Sequence, residues 1–304
     1  MAVFTSLSRT QIESVIAEYD CGDLIDFSGI TEGSENTNYL CETSNGKFVL
    51  TIFEERSNPK HIQPQIIFIQ NLYEAEFPVP NVLTHARGNY LSDVSGKKAM
   101  LQTFLDGKSS DTPTYNQCFS AGESLASMHL FGTNLKIDIS NTLDASVLLD
   151  MAKQIQAENN SEELTGCISF LQNYQQNINL PNGAVHTDYF KDNVFFKDEK
   201  VSGIFDFWFS CDELLIYDLA IALNVWGFNN GNYQQKNYEA FLDGYISVRP
   251  LTTEEEQSLP QELQRAALRF YLTRLYDQVM TTKDLENKPP ETWFRRFLFH
   301  KNKG

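Results

Sequence analysis

Apolar positions change period early in the chain. Ile12, Val15, Ile16 and Tyr19 recur at three- and four-residue intervals behind Ser8 and Gln11, whose spacing is that of a capping box, so a helix is predicted over 8–19. Three short strands are predicted before residue 55. The last two, 37–42 and 47–53, flank Ser44-Asn45-Gly46, where Asn-Gly offers the positive φ of a tight hairpin. A helix over 61–73 tolerates Pro64 in its first turn and stops before Phe77-Pro78-Val79-Pro80. With strands at 90–91 and 98–104, this makes a small α+β unit. From Leu105-Asp106-Gly107 onward helical patterns take over, at 115–130, 146–157, 162–176, 213–226, 238–247 and 260–280. They are interrupted once, between 184 and 209, by two short apolar runs. The predicted organisation is a first lobe over 1–101, a connection over 102–107 and a helical lobe over 108–304, with no internal repeat.

Composition sharpens this. The 304 residues are 41% hydrophobic and 12% aromatic, enough for real cores in roughly two domains. With 24 Lys plus Arg against 40 Asp plus Glu the formal charge is −16, and no basic run interrupts it, so no nucleic-acid partner is expected. A small anion can still bind where amides and a metal ion supply positive charge. Cys21, Cys41, Cys118, Cys167 and Cys211 are scattered without a C-x-x-C pair, which suggests neither disulfides nor a thiolate zinc site and fits a reducing compartment. The first residues lack a charged-then-apolar leader, and no apolar run approaches about 18 residues, so a soluble cytoplasmic protein with no membrane partner is expected.

The chemistry is sought at the interruption. His186-Thr187-Asp188 is followed by Asn193, then Val194-Phe195-Phe196, a polar turn at 197–200, and Val201 to Phe205 leading into Asp206. Read as a hairpin, this sets Asn193 opposite Asp206, with Asp188 in the preceding loop within reach. Two oxygen ligands with room for water and phosphate suit Mg²⁺. A third carboxylate, not consumed by the metal, can accept a hydroxyl proton during phosphoryl transfer. Asp188 is therefore expected as catalytic base, and Asn193 and Asp206 as metal ligands. The plainer alternative is that Asp and Asn populate a polar loop and cap a strand.

The segments H-T-D-Y-F-K-D-N-V-F-F and I-F-D-F-W-F resemble the catalytic and metal loops of the aminoglycoside-phosphotransferase-like branch of the protein-kinase fold. Within that branch, Glu32-Gly-Ser-Glu-Asn-Thr-Asn-Tyr39, Val49-Leu-Thr-Ile-Phe-Glu54, Phe104-Leu-Asp-Gly107, 122–130, Tyr217 to Asn224 and Ala267 to Asp277 are similar to the kinase-like homoserine kinases of bacteria. The resemblance implies a two-lobed α+β fold, with a small antiparallel-sheet lobe that binds nucleotide and a larger helical lobe. It implies ATP and Mg²⁺ as cofactors and L-homoserine as acceptor, giving O-phospho-L-homoserine for threonine biosynthesis; it implies no oligomeric state. Rival acceptors are an aminoglycoside, a choline-like amino alcohol or methylthioribose.

The resemblance also places Gly33 and Ser34 in a loop over the ATP phosphates, with Asn36 and Asn38 shaping it, and Gln102 and Phe104 at the adenine. Thr51, counted with these nucleotide-binding residues, stands where most kinases carry a phosphate-pairing Lys, which implies altered phosphate handling; that departure motivates a third possibility, a nucleotide-binding pseudoenzyme, although homoserine kinases of this type share it. Glu74 then has no Lys partner and should face solvent. His186 and Asp218 are expected to brace the catalytic loop, and His129 to be a packed or capping residue. For the acceptor, a helical wheel over 260–280 sets Arg274 on the apolar stripe, beside Leu263, Ala267 and Phe270, and leaves Arg265 and Arg269 off it. A buried cation must be paired, so Arg274 serves either the substrate carboxylate or an acid from the Glu213 or Asp218 region. Asp212 is an expected ammonium partner or else a solvated loop residue. Phe207, Trp208, Phe209 and Tyr271 are expected to pack, and Glu254-Glu255-Glu256 to be a solvated helix start.

Overall fold

Ser8 caps α1 (Arg9–Ile16) through the expected box: Gln11 N donates to Ser8 Oγ at 3.3 Å, and Ser8 N to Gln11 Oε1 at 2.9 Å. The helix buries Ile12, Val15 and Ile16. The computed structural model describes residues 4–31, 36–54, 59–159, 161–280 and 289–303. It divides into two compact units, Met1–Gly107 with Ser202–Trp208, and Lys108–Val201 with Phe209–Gly304.

In the first unit, β1 (Leu24–Ile30), β2 (Thr37–Thr43), β3 (Gly46–Ile52), β4 (Leu91–Val94) and β5 (Lys97–Thr103) form an antiparallel sheet in the order β1-β2-β3-β5-β4. In the β2–β3 turn only Gly46 takes the positive φ, +141°. The buried Thr43 hydroxyl holds this turn, accepting from Asn45 N at 3.2 Å and donating to Cys21 O at 2.5 Å. Cys41, Leu50, Ile52, Ala99 and Leu101 pack with α1 to form a core. A helix, α2 (Pro59–Glu74), follows β3 in the chain and buries Ile66, Phe68, Ile69 and Leu72, while Glu74 at its end is exposed.

Ser202–Trp208 folds with this unit, although the chain reaches it only after several helices. Ile204 N donates to Pro78 O at 2.7 Å, and Gln65 Nε2 to Trp208 O at 2.7 Å. Phe53 meets Trp208 edge-on at 4.8 Å between ring centroids, and Phe68 meets Phe207 at 5.8 Å. Phe207 and Trp208 therefore pack, as their aromatic character suggested.

The second unit is mainly helical: α3 (Tyr115–Gly132), α4 (Ala145–Glu158), α5 (Glu162–Asn173), α6 (Leu215–Trp226), α7 (Gln235–Val248), α8 (Thr253–Met280) and α9 (Glu291–Lys303). It also holds β6 (Asn182–Val185), antiparallel to β9 (Cys211–Leu214). A hairpin of β7 (Val194–Lys197) and β8 (Lys200–Ile204) turns through Asp198, at φ +55°. Where α3 crosses α7, a Cβ on Gly122 would lie 2.1 Å from Phe241 O, so the close approach of the two backbones requires glycine there.

Every residue of α6 is buried, and α8 is buried continuously from Arg265 to Leu272. A helix enclosed on all sides has no wet face for a wheel to find. Arg265 and Arg269, set off the stripe by the wheel, are thus more deeply buried than Arg274. The acidic start of α8 also departs from expectation, because Glu255 is fully buried and accepts from Arg249 Nη2 at 2.7 Å and Thr252 N at 3.0 Å. The helix α9 was not anticipated; it buries Trp293, Phe297 and His300.

All five cysteines are free and buried, and burial pushes their thiols up, Cys21 to about 11 and Cys41 to about 12, which leaves them unreactive. Among the described residues no helix is long and apolar enough to cross a membrane.

His300 Nε2 lies 3.0 Å from Asn224 Oδ1, and burial, with Lys303 and Arg296 nearby, lowers the imidazole to about 4. The unfolded chain takes up this proton first as pH falls below about 6.5, so the contribution of neutral His300 is whole above that value and is lost on the way to pH 4. Thermal midpoints measured from pH 7 to 4 should fall less steeply for His300→Gln than for the parent. Parallel profiles would sink the assignment.

Candidate active site

The loop after β6 is held at nearly every residue. Val185 pairs with Cys211 across β6 and β9, and the chain then turns through Thr187 at φ +53°. This backbone region is unfavourable for a β-branched residue, at a cost on the order of 1–3 kcal/mol. Three bonds offset it: Thr187 N donates to Asp218 Oδ1 at 2.9 Å, its hydroxyl to Phe209 O at 2.6 Å, and its carbonyl accepts from Arg269 Nη1. Asp188 N donates to His186 Nδ1 at 3.2 Å, so the buried imidazole carries its proton on Nε2. Phe190 N returns to Asp188 O at 2.7 Å, and a short turn over Lys191–Asn193 follows. Asn193 Nδ2 then donates to Asp188 O at 3.0 Å and reaches toward Asp188 Oδ2 at 3.4 Å. The amide is buried and its nitrogen is spent on Asp188, leaving Oδ1 as the atom for a cation. Asp188 itself is half-buried.

Asp218 anchors this loop from the first turn of α6. Fully buried, it accepts from His186 N at 3.0 Å, from Thr187 N and from His129 Nε2 at 3.0 Å. Burial alone would raise its pKa; the hydrogen bond and charge of His129, with His186, outweigh that and hold it below the usual carboxylate value. His129 is fixed in turn by Tyr245 Oη, 2.6 Å from its Nδ1. Further along, Trp226 Nε1 donates to Tyr189 O at 2.9 Å. His186 and Asp218 thus bond directly to the loop backbone, and His129, expected as a packed or capping residue, holds Asp218 from behind.

The other expected residues are distributed differently. Asp206 lies in the first unit, exposed, at φ +67° and immediately before Phe207. Gly33 and Ser34 lie outside the described residues. Thr51 is 2% exposed in β3, and its hydroxyl donates to Asn38 Oδ1 at 2.8 Å on β2. Asn36 Oδ1 accepts from Glu54 N at 3.3 Å, so both asparagines tie the start of β2 to the end of β3. Gln102 sits in β5 opposite Val49, and Phe104 follows the sheet, 38% exposed, with its N–H on Lys47 O at 3.1 Å.

Asp212 lies in β9, opposite Ala184 of β6. It points outward from β9 between buried Cys211 and Glu213, and its Oδ2 accepts from Ile139 N at 3.0 Å. Burial and neighbouring Asp138 raise its pKa against the lowering by that amide. That bond ties β9 to the residues that precede α4. Neither acid offered as a structural partner for Arg274 serves it, since Glu213 pairs with Arg265 at 2.6 Å and Asp218 holds the loop. Among the described residues no group of three His, Cys, Asp or Glu could hold a metal ion. A magnesium ion that keeps most of its waters needs only one or two protein oxygens.

The model of the phosphotransferase enzyme family matches residues 26–251, which span the loop and its anchor. The chain belongs to the phosphotransferase enzyme family. This phosphotransferase is 35% identical over 310 residues to the homoserine kinase of Sinorhizobium fredii, covering 99% of this chain and 95% of that protein. It is 37% identical over 319 residues to the homoserine kinase of Hyphomonas neptunium, covering 99% and 97%. Among solved structures, amicoumacin kinase in complex with AMP-PNP and Ca²⁺ superposes with a TM-score of 0.70 at 15% identity, over 97% of this chain and 93% of that one. A microcompartment-associated aminopropanol kinase superposes with a TM-score of 0.69 at 17% identity, over 97% of each chain. The phosphotransferase therefore has the kinase-like fold expected from its sequence, a five-stranded antiparallel sheet joined to a larger helical part. Membership implies ATP, a divalent metal and a small-molecule acceptor bearing a hydroxyl.

Proposed function

We propose that this phosphotransferase transfers the γ-phosphoryl group of Mg-ATP to the hydroxyl of L-homoserine, giving O-phospho-L-homoserine and ADP in the cytoplasm. The observation that carries the acceptor is full-length similarity to homoserine kinases, 34–37% identical over 99% of the chain, a span that includes the outer segments as well as the loop common to many kinases.

Asp188 is assigned as the base. As the homoserine oxygen bonds to the γ-phosphorus, its proton passes to the Asp188 carboxylate and the bond to the β–γ bridging oxygen breaks, leaving ADP. Positioning and charge stabilisation dominate such reactions, which suits a carboxylate whose backbone is pinned through His186 Nδ1 and the Asn193 amide. Asn193 Oδ1 and the Asp206 carboxylate are assigned to Mg²⁺ from their places in the sequence pattern. Both offer the hard oxygen ligands this ion takes, and the ion, when bound, offsets charge growing on the phosphate oxygens. Gly33, Ser34, Gln102 and Phe104 are assigned to the nucleotide. Thr51, buried and bonded to Asn38, is assigned to holding the strand pair.

Coupled detection of ADP separates the rival acceptors. Substantial turnover is expected with L-homoserine and none with an aminoglycoside, choline or methylthioribose. Turnover favouring another member of the panel would move the acceptor, and silence with all of them would support a nucleotide-binding pseudoenzyme.

A further inference from the structure

The buried arginines of the second unit fall into two groups. Arg249 and Arg265 face carboxylates, Arg249 Nη2 to Glu255 at 2.7 Å and Arg265 Nη2 to Glu213 at 2.6 Å, and Arg269 donates to the Thr187 carbonyl. Arg274 of α8 and Arg296 of α9 are half-buried, and among the described residues neither has a carboxylate within ion-pair distance. Both are held against one ring: the Arg274 Cζ lies 5.4 Å and the Arg296 Cζ 4.0 Å from the centroid of Trp293. Arg296 Nε is buried with no hydrogen-bond partner. Burial lowers both guanidiniums, Arg274 to about 10 and Arg296 to about 9, and Arg274 lowers Arg296 further by repulsion. Two buried cations against one ring, neither closed into an ion pair, leave room for an anion between them and the loop.

The aromatic cluster beneath them leads to the catalytic loop. Trp293 stacks on Phe270 at 4.4 Å, and Phe190, two residues after Asp188, contacts Phe270 at 5.0 Å and Trp293 at 5.8 Å. The charge of Arg274 is felt by Asp188 and Asp192, which partly restore its pKa. Lys191 adds a third cation nearby, though its Nζ is occupied by Phe228 O at 2.9 Å.

We propose that Arg274 and Arg296, backed by Trp293, form the site for the acceptor's carboxylate and select an α-amino acid over other hydroxyl compounds. This rests on the homoserine reading and deepens it. In homoserine the hydroxyl oxygen and the carboxylate carbon are four bonds apart, on the order of 5 Å when extended. A cation receiving the carboxylate must therefore lie on the side of the loop that carries the base, and Arg274 is joined to that loop through Trp293, Phe270 and Phe190. Planar guanidiniums suit a carboxylate, which they bind through paired N–H donors. The same pair repels an acceptor carrying only ammonium groups, so it discriminates by charge as well as by attraction.

The test compares L-homoserine with 2-amino-1,4-butanediol, which keeps the hydroxyl and the ammonium and lacks the carboxylate, using the full chain with Mg-ATP. The parent should prefer homoserine by kcat/KM. In Arg274→Gln and, separately, Arg296→Gln, the KM for homoserine should rise about 100-fold with little change for the diol or for ATP. Arg296→Lys should recover part of the loss. Thermal midpoints and the KM for ATP identify a variant that has merely misfolded. Should both Gln variants misfold, the parent alone decides, because equal kcat/KM for homoserine and the diol overturns the site. Retained preference for homoserine in folded variants also overturns it, as does a loss shared equally by homoserine, the diol and ATP. A parent inactive with homoserine strikes instead at the function on which the site rests.

Discussion

Asp188→Asn should lower kcat by about 10³-fold while the KM for ATP changes little, since general-base catalysis contributes on the order of 10²–10⁴. The substitution is nearly isosteric and leaves the backbone bonds of the loop in place. Asp188 N still meets His186 Nδ1, and the Asp188 carbonyl still accepts from Phe190 N and Asn193 Nδ2. What disappears is the charge that takes the hydroxyl proton. The fall should therefore sit in kcat, measured by ADP release at saturating homoserine, with nucleotide affinity followed separately by equilibrium binding. Near-normal turnover would remove Asp188 from the role of base. A kcat that recovers only as pH rises would point instead to a residual contribution from solvent hydroxide.

The contacts of the loop after β6 were readable in the sequence because they are local: His186, Asp188 and Asn193 lie within one short stretch, and their spacing survives into contacts between them. The strands and most helices were readable for a similar reason, since capping pairs such as Ser8 with Gln11 and Thr114 with Gln117 act within one turn. What failed was the assumption that a helix has one wet side. In α8 that assumption set Arg265 off the core, whereas Glu213 from β9, Glu262 and Tyr174 enclose it. Similarly, Glu255 is drawn in by Arg249, which lies in the residues between α7 and α8. Arg296 could not be paired with Arg274 by sequence, because only the packing of α9 on α8 brings them to one ring. The spacing of Trp293, Phe297 and His300 did carry a helical signal for α9; it was obscured by the charged residues among them and by the preceding Pro289-Pro290. Thr51 was conspicuous as a missing lysine, yet its partner Asn38 follows only from strand register.

The second large effect is expected at Asp218, which touches no reactant in this scheme. Asp218→Ala removes the acceptor shared by His186 N, Thr187 N and His129 Nε2, all buried, and should cost about 3–5 kcal/mol of stability. Asp218→Asn is no remedy, because an amide nitrogen turned toward any of those donors meets a hydrogen where it needs a lone pair. Acid behaviour supplies the check that separates this role from simple packing. Held below its ordinary value, the carboxylate contributes stability that is whole above the unfolded pKa of about 3.9, and loses it as pH falls through the lower folded value. The parent should therefore lose thermal stability over this acid range, and Asp218→Ala, already lacking the contribution, should show a shallower limb there. Turnover should fall as well, in kcat more than in the KM for ATP, since Thr187 would be left in a strained conformation without the bond that fixes its amide and Asp188 would lose its placement. An Asp218→Ala variant with the parent's acid profile and kcat would show that the loop is held by Arg269, Phe209 and Asn193 without it.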